Sequence, residues 1–513
     1  MRRGLRLLLL ISAVGSALAP GALAAPSAIT VTIGSAARRA IPANFLGIAL
    51  EYSTLTRWMP TAPPPPSPTP SGYVAPVDPA LAALIRGLDP AGAPVVRFGG
   101  LSTDRTWWPV PGMRKPLGVT FALGPSWVNA ARSLAAAAGA RYLFGINLLA
   151  GSTRLAGYEA RQLMGGLGRA SVAGWQIGNE PNLYPSLPWY KRSGGQILPW
   201  YSTTGIPVFA RPRYYGPDQY AAEVRRFLPV LPGGVPVSGP ETSNPAWLAA
   251  VSGLLGHSAL KILTSHAYGT NACVTDPNSS LFPSPAHQLS SVASRGLLNG
   301  LTRYVAAAHR HGDTYLVDEM GPASCNGARG VSDTMVGALW ELDALFSLAA
   351  SGVDGVDLHT FPGNLNALWD IARHGGRFTA TAHPLYYAAL LFAQAIGAGS
   401  RLLAVGGTST SLRVWATESP DRSRRVVLIN DGSSAQTVSV RPSGAPAPAE
   451  AQIERLAGPG GVNARHVMLG GGTVAADGVW QHPASLPTVP LRGGRYTVSV
   501  PSGSAAMLLL PAP

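Results

Sequence analysis

Hydrophobic positions along the chain fall into two textures. Between residues 42 and 397, short apolar runs alternate with longer stretches whose apolar positions recur three or four apart. The short runs read as buried strands and the longer stretches as amphipathic helices. In chain order the predicted strands are 41–50, 94–98, 141–148, 171–177, 236–239, 260–268, 314–317 and 355–359. The helices between them are 78–85, 126–138, one within 157–167, 218–230, 245–255, 287–310, one running from a Ser332-Asp333 cap to 350, and 384–396. Alternation of this kind, eight times over, predicts a (β/α)8 TIM barrel. From 398 to 513 the pattern changes to short alternating segments: 412–417, 425–430, 437–440, 452–456, 495–500 and 505–510, with a tight-turn signal at Asn430-Asp431-Gly432. That predicts a C-terminal all-β sandwich domain. Strand 28–33 lies ahead of the barrel and is expected to join the sandwich.

Composition changes the picture at the N-terminus. Arg2, Arg3 and Arg6 accompany an apolar run from Leu5 to Leu18, and Ala22-Leu23-Ala24 supplies small residues before Ala25. This is a secretory signal pattern, so residues 1–24 are expected to be removed and the mature protein secreted or extracytoplasmic. The run is too short for a firm anchor, and 504–510 has strand length, so no stable membrane insertion is expected. The proline-rich stretch 60–70 carries too little apolar surface to pack as an element.

The formal charge is +14, three units of which belong to the signal segment. A basic secreted chain can meet nucleic acid, a membrane surface or an acidic polysaccharide. The arginines are scattered, with no basic run and no RNP or zinc-finger pattern, which argues against nucleic acid. The bias to Ala, Gly, Pro and Arg is that of a GC-rich genome and points to a bacterial source. No feature calls for an obligate protein partner. The cysteines are 2 in number, Cys273 and Cys325. In an oxidising compartment they are expected to pair, closing a loop of about 50 residues worth roughly 4 kcal/mol on the chain-entropy model. Two free buried thiols are the alternative. No Cys/His spacing of the ligand kind surrounds them, so no metal and no cofactor is expected.

Candidate chemistry gathers at the C-terminal ends of the predicted strands, the catalytic face of such barrels. In Gly174-Trp175-Gln176-Ile177-Gly178-Asn179-Glu180-Pro181-Asn182, strand four stops at Gly178 and Pro181 and leaves Asn179 and Glu180 at its tip. Glu319 ends strand seven, across the mouth. A retaining glycosidase needs two carboxyl groups about 5–5.5 Å apart, one as nucleophile and one as acid and then base. Ordinary surface ion pairs are the bland alternative for each, and their matching strand ends disfavour it. Arg97, ending strand two, is a candidate charge partner of Glu319. His266 and Tyr268 share one face of strand six by its period of two. Asp318 is expected on the opposite side of its strand from Glu319. Glu51 and Asp104, at the ends of strands one and two, are candidate acceptors for sugar hydroxyls. Trp369, and likewise Trp107 and Trp108, either stack on a sugar or cap the barrel. The stretch 184–213, with Trp189, Tyr190, Trp200 and Tyr201, exceeds an ordinary βα loop and reads as a functional loop over the mouth.

Taken jointly, Trp175 to Asn182, Arg97-Phe98-Gly99-Gly100 with Thr103-Asp104, and Ser332-Asp333-Thr334 resemble glycoside hydrolase family 79, which holds β-glucuronidases and heparanase. The resemblance covers the barrel and the C-terminal β-domain. It implies that Glu180 is the acid/base and Glu319 the nucleophile, and that Asn179 bonds the sugar 2-hydroxyl. It implies that His266 and Tyr268 line the sugar and orient the nucleophile. It also places Cys325-Asn326-Gly327 where main-chain amides receive a glucuronate carboxylate, an anion nest, with Tyr386 donating to the same group. Related sequences often carry glycines where Cys325 and Asn326 stand; a bridge from Cys325 to Cys273 would staple that turn. The implied activity is that of a secreted retaining β-glucuronidase, exo-acting on a glucuronic-acid-containing saccharide or glycoside. Endo-cleavage of a glucuronate polymer, a neutral-sugar β-glycosidase, and a non-enzymatic barrel that binds acidic polysaccharide stand as alternatives.

Overall fold

The computed structural model describes residues 28–58, 78–89, 92–256, 258–374, 377–444 and 447–512. The expected signal segment 1–24 and the proline-rich stretch 60–70 lie outside the described residues. Eight parallel strands close into a barrel in sequential order. They are β1 (Leu46–Glu51), β2 (Val95–Gly99), β3 (Arg141–Ile146), β4 (Val172–Ile177), β5 (Val237–Thr242), β6 (Ile262–Asn271), β7 (Thr314–Ser324) and β8 (Gly355–His359). The helices that follow them are α1 (Pro79–Leu88), α2 (Pro125–Ala138), α3 (Thr153–Leu167), α4 (Pro217–Phe227), α5 (Ala246–Leu255), α6 (Ser291–Arg310), α7 (Met335–Ser351) and α8 (Pro384–Ile396).

Alternation along each strand sorts the two sides of the barrel wall. On β2, Val96 and Phe98 face the helices while Arg97 between them faces the barrel interior, where its side chain is bonded. Phe98 meets Trp127 of α2 edge-on at 4.9 Å and stacks with Phe144 of β3 at 5.9 Å. The helix ends obey local rules. α2 begins with proline in its first turn and stops at Gly139, whose φ of 70° is a left-handed C-cap.

Three strands differ from expectation in a way that matters for the site. β5 runs on to Thr242 instead of ending at 239. β6 reaches Asn271 and β7 reaches Ser324, well past the predicted ends. The helix expected from a Ser332-Asp333 cap begins instead at Met335, with Thr334 before it. Ser332 and Asp333 bond the amides of Ala328 and Gly330, so they fold the preceding loop and do not cap the helix.

The N-terminal strand Ile29–Ala40 belongs to the second domain. It lies between β9 (Arg401–Gly406), antiparallel, and β12 (Gln436–Pro442), parallel. The other main strands are β10 (Leu412–Glu418), β11 (Arg424–Asn430), β13 (Glu450–Ala457), β14 (Thr488–Arg492), β15 (Arg495–Val500) and β16 (Ser504–Leu510). Together with a short strand they make one ten-stranded sheet. A sandwich of two separate sheets was the expectation. Instead β13 pairs with both β14 and β16, so the sheet closes on itself around Val31, Val414, Leu428, Val438, Val498 and Leu508. Closure satisfies backbone groups that two free edges would leave exposed.

A polar lock joins this domain to the barrel. Buried Arg413 of β10 reaches Asp343 of α7 at 3.2 Å and Asp431 at 2.6 Å, and Trp415 donates to Asp343 while stacking on Phe346. No helix among the described residues is long and apolar enough to cross a membrane.

Candidate active site

The mouth of the barrel is built on one buried cation. Arg97 is fully buried and uses its fork on five partners: Nε to Gln176 Oε1 at 3.0 Å, Nη1 to Glu319 Oε2 at 2.9 Å, and Nη2 to Asn179 Oδ1 at 2.8 Å and Glu241 Oε2 at 3.1 Å, with His266 Nε2 3.4 Å from Nη2. Arginine only donates, so Asn179 must turn its oxygen inward, and its NH2 is left as the outward donor. Burial opposes the charge on Arg97, but Asp318, Glu241 and Glu319 outweigh it and hold the guanidinium firmly ionised.

Glu319 is caged. Besides Arg97, Tyr268 OH donates to its Oε1 at 2.7 Å, and His359 Nδ1 lies 3.4 Å away. Burial pushes this carboxyl up, but His266, His359, Arg97 and the tyrosine hydroxyl pull it well below the usual range. Tyr268 OH also lies 2.9 Å from His359 Nδ1, which ties strands β6, β7 and β8 together at the mouth.

Glu180 is held differently. It has φ 47°, its amide donates to Glu241 O at 2.7 Å, and its Oε1 lies 3.2 Å from His266 Nδ1. The same ring nitrogen is 3.8 Å from Glu319 Oε1. The separation of the two carboxylate oxygens is therefore capped by the sum of those distances. That ceiling lies near the lower end of the inverting range of about 6.5–9.5 Å and includes the retaining spacing. Burial disfavours a charge on His266, but Glu319, Glu180 and Glu241 reverse this and push its pKa well above the ordinary imidazole range.

Two residues of this cluster were not read correctly from the sequence. Asp318 does not point away from Glu319. In the pairing of β6 with β7, Ser265 opposes Val317 but His266 opposes Glu319, so Asp318 is the extra residue of a bulge. It turns inward, fully buried, 2.5 Å from Gln176 Nε2 and 3.5 Å from Arg97 Nε. Bulges re-aim a side chain in this way. Glu241 was missed altogether, because strand five was expected to end at Gly239. A second register shift, between Gly239 and Thr242, carries Pro240 and puts Glu241 inside with φ 54°. Among the described residues, four of the five non-glycine residues with positive φ (Glu180, Glu241, Cys325 and Asn326) lie at or just beyond the ends of β4, β5 and β7. Backbone strain of about 1–3 kcal/mol per residue is thus concentrated at the mouth.

Glu241, His266 and Asp318 offer ligand atoms within 4.8 Å of one another. Arg97, at 3.1 Å from Glu241 and 3.5 Å from Asp318, already supplies a cation to both carboxyl groups, so this donor set does not fit a metal.

The remaining candidates divide. Glu51 is at the mouth, but it accepts from the amides of Leu101 and Ser102 at 3.2 and 2.7 Å and stands 3.5 Å from His359 Nε2. It shapes the β2 loop and orients His359. Gly100, at φ 63°, is required there, since any Cβ would overlap the Glu51 carboxylate. Asp104 is buried and spends its oxygens on the amides of Leu148, Leu149 and Asn179 and on Tyr184 OH. It seats Asn179 and does not serve as an open sugar acceptor. Tyr386 is buried against α1, where its OH donates to Leu84 O at 2.9 Å, so it is no donor at the mouth. Trp369 is fully buried edge-on to Tyr386 at 5.6 Å and tilted against Trp58 at 6.0 Å; it packs in the core and has no ring face open to a sugar. Trp107 and Trp108 are likewise buried in the core.

Cys325, Asn326 and Gly327 follow β7 with φ of 60°, 69° and 79°, a left-handed turn. A disulfide joins Cys325 to Cys273, in the loop after β6. Asn366 braces the approach to the turn by bonding both Ala323 N and O, and Leu365 N donates to Asn326 O. The long stretch after β4 forms a small three-stranded sheet. It is pinned to the rim by Arg105, which donates to the carbonyls of Pro188 and Trp189 and packs 5.1 Å from the rings of both Trp189 and Trp200.

This arrangement, one carboxylate just past the C-terminal end of β4 and one within β7, both over a buried arginine, sits in a fold shared with glycoside hydrolases. A 4-O-α-L-rhamnosyl-β-D-glucuronidase from Fusarium oxysporum 12S superposes with a TM-score of 0.66 at 17% identity, over 93% of this chain and 99% of that one. A GH51 arabinofuranosidase from Xanthomonas axonopodis pv. citri gives 0.65 at 17% identity, over 94% and 99%. The catalytic domain of a GH30 xylanase C from Talaromyces cellulolyticus gives 0.52 at 13% identity, over 94% and 99%. At these identities the likeness is one of fold. No protein-family model and no curated protein matches the chain.

Proposed function

We propose that the chain is a retaining β-glycosidase of the family 79 kind that releases β-linked glucuronic acid. Glu319 is the nucleophile and Glu180 the acid/base. The observation that carries this reading is the opposed setting of the two carboxylates about one imidazolium. Glu319 is kept ionised by Arg97, His266, His359 and Tyr268, as attack on an anomeric carbon requires. The Glu180 side chain meets the cluster at His266, with 20% of it exposed, which leaves it free to exchange a proton with a leaving group and then with water. Asn179 presents its NH2 where a hydrogen bond to the 2-hydroxyl would strengthen as the oxocarbenium-like transition state forms.

The sugar reading rests on the Cys325–Gly327 turn. Successive main-chain amides in such a turn receive a carboxylate without a cationic side chain, and the disulfide and Asn366 preorganise it. Tyr386 takes no part. The N-terminal signal pattern and the disulfide support an extracytoplasmic site of action. The arabinofuranosidase superposes almost as well as the glucuronidase, so a neutral furanoside is the second reading.

Aryl β-glucuronide, β-glucoside, β-galactoside and α-L-arabinofuranoside, each offered to wild type, Glu180→Ala and Glu319→Ala, separate these readings. Glucuronide should be turned over fastest, with retention at the anomeric carbon. Preference for a neutral sugar would remove the carboxylate nest from the account, and an inverted product would remove the double displacement. No turnover of any of the four would favour a strict polymer substrate or a binding barrel.

A further inference from the structure

Two buried carboxyl groups, Glu241 and Asp318, have no part in the mechanism above, yet both touch Arg97. Among the described residues, four carboxyl groups, Glu180, Glu241, Asp318 and Glu319, gather around Arg97 and His266 at the centre of the cluster. Further titratable groups face the cluster from the elements packed on it: Asp357 and His359 from β8, Tyr220 from α4, Tyr268 from β6 and Tyr315 from β7. Burying this many like charges costs more than the pairing returns unless one is neutralised by a proton.

The hydrogen bonds say where the proton is. Glu241 is surrounded by donors: Ser238 Oγ at 3.1 Å and Thr264 Oγ1 at 2.7 Å to Oε1, and Arg97 at 3.1 Å to Oε2. That is the setting of an ionised carboxylate. Asp318 receives Gln176 on Oδ2, but its Oδ1 is buried and without a hydrogen-bond partner. An ionised oxygen left so is costly; a protonated one beside Glu241 is not. Ligand atoms of the two groups lie within 4.8 Å of each other.

Resting on the assignment of Glu180 and Glu319, we propose that Glu241 and Asp318 are positioning residues that share one proton. The single negative charge they keep aims Arg97 at Glu319 and holds His266 charged between the two catalytic carboxylates. Glu241 links the two a second way, because its carbonyl seats the Glu180 amide at 2.7 Å. Burial and the charge of Glu241 push Asp318 well above its ordinary range. Burial opposes ionisation of Glu241, but the Asp318 proton, His266 and Arg97 hold it down to about 2.

A shared proton makes an unusual prediction. In Glu241→Gln, Asp318 ionises and the net charge is kept. In Asp318→Asn, a neutral group replaces a neutral group. Each single variant should lower kcat by less than about ten-fold with KM little changed, while the double variant should lose about a thousand-fold or more. In the double variant the alkaline limb of kcat/KM should move to lower pH, because His266 loses an anionic partner. Additive losses, or an unmoved limb, would overturn the proposal. Infrared difference spectra at neutral pH give an arm independent of turnover. Wild type should carry a protonated-carboxyl C=O band that both single variants lack, and its persistence in either would refute the shared proton. Should wild type turn over no glycoside, the mechanistic assignment fails while the infrared arm still decides the proton.

Discussion

At the barrel mouth, β4 and β7 carry the same functional group and treat it in opposite ways. Glu319 continues a strand and is enclosed by Arg97, Tyr268, His266 and His359. Glu180 follows the end of its strand, in a left-handed conformation, held through its main chain and touched by one imidazole. One carboxylate is locked and kept charged; the other is seated but left accessible. The difference teaches that the proposed division of roles resides in the surroundings, since the two side chains are chemically identical. In the proposed mechanism, donors crowd the group that is to stay ionised, and the group that is to exchange protons is placed where solvent reaches it.

The comparison breaks most sharply when either carboxylate is removed. Glu180→Ala and Glu319→Ala should each lose about 10⁴-fold or more in kcat on a substrate with a poor leaving group. Azide should tell them apart by the product's stereochemistry: β-glycosyl azide from Glu180→Ala and α-glycosyl azide from Glu319→Ala, read by proton NMR. The same anomer from both would abolish the distinction between the tips.

Next in size is the cation that cages one tip and orients Asn179 at the other. Arg97→Met should cost about 3–5 kcal/mol of stability by stranding buried carboxylates, measured by denaturant unfolding. Stability equal to wild type would mean that the cluster neutralises itself without Arg97.

Tyr268→Phe should affect only the β7 tip. It removes a hydrogen bond that lowers the Glu319 pKa, so the acid limb of kcat/KM should shift upward, with a rate loss of about 10–100-fold. The sign also bears on stability. Glu319 is depressed below its ordinary 4.5 in the folded state, so its contribution is present above that value and is lost as pH falls towards the folded one. Tyr268→Phe should weaken this dependence, as melting curves across the acid range would show.

The smallest catalytic effect is expected away from both tips. Cys273→Ser with Cys325→Ser should lower stability by about 2–4 kcal/mol and raise KM for a glucuronide more than it lowers kcat. An unchanged KM would detach the stapled turn from sugar binding.

Much of this was legible along the chain. Apolar runs separated by helical periods define a barrel wall and its helices, because burial on two sides and amphipathicity leave a periodic trace. The same counting placed Asn179 and Glu180 at the tip of one strand and Glu319 on another. What failed was local in sequence and global in cause. Strand five was expected to end at Gly239, and the bulge beside β6 carries it past Pro240 and turns Glu241 inward. Asp318 obeyed alternation on paper, and a second bulge overrode it. Asp104 and Tyr386 are polar residues near predicted strand or helix ends, but burial commits them to Leu148, Leu149 and Tyr184 in one case and to Leu84 in the other.

The sequence by itself determined the elements, the barrel and the two opposed carboxylates, since each leaves a periodic or positional signature within a short window. The tertiary structure alone decided which polar groups reach the mouth, how the second domain closes its sheet, and how Arg97 meets residues far apart in the chain. Those outcomes depend on register and on one-residue bulges, which shift side chains between faces without altering the pattern that predicts a strand.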